Sequence, residues 1–278
     1  MQIDAHQHFW NPARGDYDWM PKGHPIIDRP YGPADLAPHL AQHGIDRTII
    51  VQAAESVEES AYMLGIADAT PSVAGVVGWV DFEDPDQAHV LRRLAAHPKF
   101  LGVRPMIQDI ADVDWMLRED VTWAYAALAD LGLTFDALGF PRHLANFATV
   151  MDRHPDLKVV IDHCMKPLIR EHSAQTFAQW SAGMARLADA GAYVKLSGIV
   201  TEASDSWTLD DLRPYTDEVI RLFGPQRIMW GSDWPVCLNA GSYADWRQAA
   251  EALTAHLDDT ARAAIFGGTA QRFYGLPI

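Results

Sequence analysis

Eight short runs of apolar residues, rich in β-branched side chains, recur along this chain between longer segments of helical period. The runs are Gln2–Phe9, Arg47–Gln52, Val73–Phe82, Leu101–Met106, Thr134–Leu138, Lys158–His163, Tyr193–Ser197 and Arg227–Ser232. Their centres, such as Thr48-Ile49-Ile50-Val51 and Val159-Val160-Ile161, show little polar alternation. That pattern predicts parallel strands buried on both faces. Between them, Asp120–Leu131 predicts a helix with Ala124, Leu128 and Leu131 on its inner side. Phe177–Ala190 and Asp211–Phe223 predict two more, closed by Gly191 and Gly224. Sustained strand–helix alternation means a closed barrel or an open, doubly wound sheet, and eight strands favour the α/β (β/α)₈ TIM-type barrel. No low-complexity linker or internal repeat divides the 278 residues, so 1–278 reads as one barrel domain. The long stretch Trp10–Pro33 is too rich in proline and glycine for regular structure. It follows the first strand and is expected to overhang the barrel mouth.

Charged and imidazole groups fall at the ends of these strands, and in a barrel those ends converge on one mouth. His6 and His8 are two apart at the end of the first strand, so their side chains leave one face. Glu55 follows the second strand, Arg104 lies near the end of the fourth, Asp136 in the fifth, Lys195 in the seventh and Asp233 at the exit of the eighth. Asp162 and His163 end the sixth strand on alternating faces, so one of them points inward, and His163 is expected to be that one. A charge buried in an apolar strand needs a partner or a task. Each residue also has a plainer reading: His6, His8 and His163 as core histidines bonded to backbone, Asp233 as a turn or helix cap, and Glu55 as a surface residue before a helix. Arg104 suits a carboxylate or carbonyl clamp, or equally a structural pair with Asp136. Trp10, Trp19, Trp207 and Trp234 lie in loops expected to cover the mouth, and His24 or His143 could line it.

Composition narrows the partners. The net charge of −15 disfavours nucleic acid and anionic membrane. Cys164 and Cys237 do not form a disulfide framework, and no nearby signal activates either thiol. The N-terminus lacks the basic and apolar regions of a signal peptide, and no apolar run approaches the ~20 residues that span a bilayer. A cytoplasmic location is expected, and the sequence leaves the oligomeric state open.

Several phrases together resemble a known family. Ile3-Asp4-Ala5-His6-Gln7-His8-Phe9-Trp10 is similar to the first strand of the amidohydrolase superfamily. Gly102-Val103-Arg104, Ile161-Asp162-His163, Lys195-Leu196-Ser197-Gly198, Thr201-Glu202-Ala203 and Gly231-Ser232-Asp233-Trp234-Pro235-Val236 resemble its "amidohydrolase 2" branch, nearest to sugar-acid lactonases acting on L-fuconolactone or L-rhamnonolactone. The resemblance runs essentially end to end. It implies hydrolysis of a small-molecule lactone, with Asp233 activating water and His163 and Lys195 assisting. His6, His8, Arg104, Glu55, Asp136 and Trp10 would then contact substrate. One divalent ion, zinc first, could be held by His6, His8 and Asp233 and could be dispensable. Strand five carries Asp136 where many superfamily members carry a metal-binding histidine, which argues against a two-metal site. A metal-dependent decarboxylase of the same superfamily is the alternative, and a non-catalytic sugar-acid binder a more distant one.

Overall fold

The computed structural model describes residues 1–277. Eight parallel strands run in the order β1 to β8: Ile3–Gln7, Arg47–Val51, Val73–Gly78, Phe100–Val103, Thr134–Ala137, Lys158–Ile161, Tyr193–Leu196 and Ile228–Trp230. Helices between successive strands pack outside them, including Pro33–His43, Val57–Ala69, Leu144–Arg153 and Ala174–Asp189, giving a single-domain (β/α)₈ barrel. Each strand pairs with the next in parallel register, for example Phe135 with Val159 and Lys195 with Met229. Between β8 and β1 no strand ladder forms, and a single bridge, Gln7 to Trp234, marks the seam.

Two apolar clusters account for the packing. The larger joins the outward faces of the strands to the helices. The smaller brings Ile3, Ala5, Ile49, Val51, Val77, Val160 and Met229 together with Ala270, Phe273, Tyr274 and Leu276 of the C-terminal segment. This second cluster fills the barrel interior below the site. Side chains of β1 that face inward are Ile3 and Ala5, which by simple alternation would send His6 and His8 outward. A bulge between Asp4 and Gln7 inserts an extra residue against β2, so both histidines turn inward.

All eight strands end earlier than the sequence pattern suggests, most clearly β3 at Gly78, β4 at Val103, β6 at Ile161 and β8 at Trp230. The apolar runs continue because the loops above the strands are buried too. The helix expected from Asp120 spans Thr122–Asp130, buries Ala124, Tyr125 and Leu128, and leaves Leu131 exposed. Leu131 follows the helical period, but the helix has already ended, and Gly132 with φ 69° turns the chain away. Helix Ala174–Asp189 starts earlier than expected because Ser173 and Thr176 form a capping box. Helix Leu209–Phe223 is closed by Gly224 at φ 64°, where a side chain would be strained.

Leu128 is fully buried in the outer cluster. Leu128→Ala is expected to lower unfolding free energy by about 2–5 kcal/mol. A lower urea midpoint with an unchanged slope would show this, and an unchanged midpoint would refute the packing assigned to it.

Candidate active site

Three imidazoles from β1 and the β6 exit surround one carboxylate from the β8 exit. Asp233 Oδ1 lies 3.3 Å from His8 Nε2, 3.7 Å from His6 Nε2 and 3.8 Å from His163 Nε2. His6 Nε2 and His8 Nε2 are 3.2 Å apart, and all four side chains are buried. Asp233 takes φ 56°, in the left-handed region that L residues avoid. Burial alone would raise its carboxyl, but His163, the His8 hydrogen bond and His6 outweigh that and hold it well below the usual carboxylate range. Burial also lowers His163 to about 4, so that imidazole is neutral near pH 7. Asp233 is ionised there.

A polar group holds each histidine from behind. His8 Nδ1 is 2.8 Å from the Val51 carbonyl, which can only accept, so Nδ1 carries a proton. Its Nε2 and Asp233 Oδ1 are then two acceptors at 3.3 Å, a pair matched by a proton or a metal cation between them. His6 meets obligate donors at both ring nitrogens, the Lys195 ammonium 3.2 Å from Nδ1 and Arg104 Nη1 3.4 Å from Nε2. His163 Nδ1 meets Ser197 Oγ at 2.9 Å.

Below these groups lies a dry ionic layer. Lys195 Nζ is 2.5 Å from Asp136 Oδ2 and 3.0 Å from Asp162 Oδ1, and all three residues are completely buried. Tyr274 Oη donates to Asp136 Oδ2 at 3.1 Å. Arg104 reaches Asp162 Oδ2 at 3.4 Å and donates to Gln52 Oε1 at 2.9 Å and to the Gln52 carbonyl. Burial pushes the Asp136 carboxyl up. Burial acts on Asp162 the same way, but Lys195, His6 and Arg104 together drive it well below its ordinary value.

Asp162 is thus not the outward residue expected from strand alternation. The two-residue period stops at Ile161, and His163, Cys164, Met165 and Lys166 follow with φ of 53°, 51°, 59° and 47°. Such geometry costs roughly 1–2 kcal/mol per residue. The turn is held by Trp180 Nε1 donating to the Cys164 carbonyl at 2.8 Å, and by Gly198, where a Cβ would lie 2.5 Å from His163 Nδ1. As a result Asp162 enters the ionic layer while His163 and Lys166 both line the cavity.

That cavity, of about 310 Å³, is lined by His8, His163, Asp233, Arg104, Trp10 and Trp19, and also by Gln108, Asp109, Lys166 and Thr201. Trp10 stacks on His8 with centroids 6.1 Å apart, and Trp19 donates to the Ala53 carbonyl at 2.6 Å. Several expected residues lie elsewhere. Lys195 and Asp136 are beneath the cavity, since each neutralises the other out of contact with solvent. Arg104 pairs with Asp162, not with Asp136. Glu55 is exposed outside the cavity lining, because the chain buries Glu59 instead, whose carboxylate accepts the Ala53 and Ala54 N–H groups. Trp207 donates to the Ala240 carbonyl, and Trp234 packs on Phe9 and Tyr31, so neither lines the mouth. His24 braces its own loop by accepting from Ile26 and Ile27, and His143 accepts from Phe140 N–H. Both cysteines are free and buried, and burial pushes the Cys164 thiol up to about 12.

Ligand atoms of His6, His8 and Asp233 lie within 4.8 Å of one another, and so do those of His6, Asp162 and His163. The first set fits a divalent cation. His8 and Asp233 already present a lone pair and a carboxylate oxygen to one point. His6 joins them in the tautomer with its proton on Nδ1, facing Asp162 Oδ1 at 3.4 Å.

The sequence profile of a family described as "Amidohydrolase" matches residues 3–276. An L-fucono-1,5-lactonase of Burkholderia ambifaria is 41% identical, aligned over 98% of this chain and 95% of the relative. An L-fucono-1,5-lactonase of Burkholderia multivorans is 36% identical over 100% and 97%. A crystal structure of an amidohydrolase from Burkholderia multivorans with bound zinc superposes with a TM-score of 0.93 at 36% identity, covering 100% of both chains. No helix among the described residues is long and apolar enough to cross a membrane.

Lys195→Met strands two buried carboxylates and is expected to cost about 3–5 kcal/mol of stability. Adding Asp136→Asn should recover part of it, and chemical denaturation of the pair measures both. A single variant as stable as the wild type would dismiss the ionic layer as a structural element. His163 stays neutral down to about 4 in the fold but titrates near 6.5 when unfolded. Between those values the unfolded chain binds more protons, so the stability tied to His163 is complete above about 6.5 and is lost as pH falls towards 4. The stability difference, wild type minus His163→Gln, should therefore shrink from about pH 7.5 to about pH 5. A constant difference in urea midpoints across that range would contradict it.

Proposed function

The chain belongs to the amidohydrolase family, and we propose that within it this protein hydrolyses a sugar-acid lactone, L-fucono-1,5-lactone first, to the open acid. The observation that carries the reading is Asp233, an ionised carboxylate at the floor of the barrel mouth, ringed by His6, His8 and His163. Two of the relatives named above are L-fucono-1,5-lactonases and support the choice of ring.

In this reading water approaches the lactone carbonyl beside Asp233, which takes one of its protons as the new C–O bond forms. The developing oxyanion is met by the Arg104 guanidinium, which Asp162 and Gln52 pre-orient. The ring C–O bond then breaks, and Asp233 returns its proton to the departing oxygen. The new carboxylic acid releases its remaining proton to solvent. His163 braces Asp233 as a neutral imidazole. Gln108, Lys166 and Thr201 supply donors and acceptors for ring hydroxyls, and the Trp10 and Trp19 indoles suit the apolar face of the sugar. A divalent ion held by His8, Asp233 and His6, zinc foremost, would supply Lewis-acid polarisation of the carbonyl. A cyclic ester needs less polarisation than an amide, so turnover is expected to survive chelation. Nothing favours decarboxylation: at strand five Asp136 is committed to Lys195.

A pH-indicator assay across aldono-1,4- and 1,5-lactones, with and without chelator, tests substrate and metal together. Asp233→Asn is expected to lower kcat by about 10²–10⁴-fold with KM nearly constant. Turnover retained in that variant would remove Asp233 as the base.

A further inference from the structure

Barrels close through a ladder between first and last strands, yet here β8 and β1 share only the Gln7–Trp234 bridge. Two main-chain bonds accompany it: His8 N–H to the Trp234 carbonyl at 2.7 Å, and Asp233 N–H to the His6 carbonyl at 2.8 Å. The preceding N–H, that of Ser232, has no main-chain acceptor on β1 and is taken by a side chain, Asp4 Oδ1, at 2.8 Å. The same oxygen lies 3.3 Å from the N–H of His6. Asp4 Oδ2 accepts from Tyr243 Oη at 3.2 Å. Asp4 is wholly buried, and its side chain points away from the cavity towards Tyr243, so it cannot touch a substrate.

Resting on the assignment of Asp233 as base, we propose that Asp4 is a positioning residue: its carboxylate straps the β8 exit to β1 and so holds Asp233 against His8 and His163. Neighbouring geometry requires such a strap. Asp233 is in the left-handed region, so its turn does not hold itself. At Gly231 a Cβ would lie 2.6 Å from His6 Cβ, so the strands touch with no room for a side chain to pack between them. Trp246 Nε1 fixes the Gly231 carbonyl at 2.8 Å, and the Ser232 hydroxyl adds a long bond of 3.4 Å to the His6 carbonyl. The 2.8 Å bond from the Ser232 amide to Asp4 is therefore the shorter tether to β1 before the base. A charged acceptor makes that tether roughly twice as strong as a neutral one.

The test is steady-state kinetics on L-fucono-1,5-lactone with Asp4→Ala, Asp4→Asn, Leu128→Ala and Asp233→Asn. Misplacing a catalytic group by about 1 Å costs about 10²-fold, so Asp4→Ala should lose about that much kcat while KM moves little. Asparagine keeps an acceptor for Ser232 and a partner for Tyr243, so Asp4→Asn should recover most of the loss. Leu128→Ala loses stability away from the seam and should keep its kcat. Undiminished kcat in Asp4→Ala, failure of asparagine to restore it, or an equal loss in Leu128→Ala overturns the strap. If Asp4→Ala does not fold, Tyr243→Phe replaces it. There a several-fold fall in kcat at constant KM supports the strap, and an unchanged kcat overturns it. Full turnover by Asp233→Asn would instead remove the base assignment on which the strap rests, whereas an inactive Asp233→Asn beside a normal Asp4→Ala refutes the strap alone.

Discussion

One buried ammonium organises the interior of this barrel. Lys195, with no access to water, bridges Asp136 and Asp162, and its third proton goes to His6. Removing three charges from water is costly unless each is paired and hydrogen-bonded. That condition explains the surroundings: Tyr274 from the C-terminal helix caps Asp136, and Arg104 caps Asp162. Below this layer the barrel is filled by aliphatic and aromatic side chains, and above it His8, His163 and Asp233 face the cavity.

The layer also sets the chemistry overhead, because the proton position on an imidazole follows from what its other nitrogen meets. Lys195 and Asp162 meet His6 Nδ1 from beneath, while the Val51 carbonyl fixes the His8 proton on Nδ1. Two histidines of the first strand and its exit are thus set by different neighbours, and Asp233 lies beside both.

Much of this was legible in the chain before any coordinates. Strands buried on both faces read as unbroken apolar runs, so eight of them could be counted, and the polar residues breaking those runs at their ends marked the mouth. His6, His8, His163, Arg104 and Asp233 were identifiable for that reason. Asp162 was misread because alternation presumes that a strand continues, and four left-handed residues after Ile161 have no glycine to announce them. Gln108, Lys166 and Thr201 lie in loops, where neither period nor burial can be inferred locally. Asp4 did carry a signal, a carboxylate in an otherwise apolar first strand, but its partners are more than two hundred residues away.

By itself, then, the sequence determined the alternation of elements, the barrel they close into and the identity of the groups at its mouth, since each depends on short-range period and composition. The tertiary structure alone decided which charges pair: Lys195 with Asp136 and Asp162, Arg104 with Asp162, and neither with solvent. It also decided that the β1 bulge turns two histidines inward. Pairing and facing depend on where distant strands come to lie against one another, and hydrophobic period carries no record of that distance.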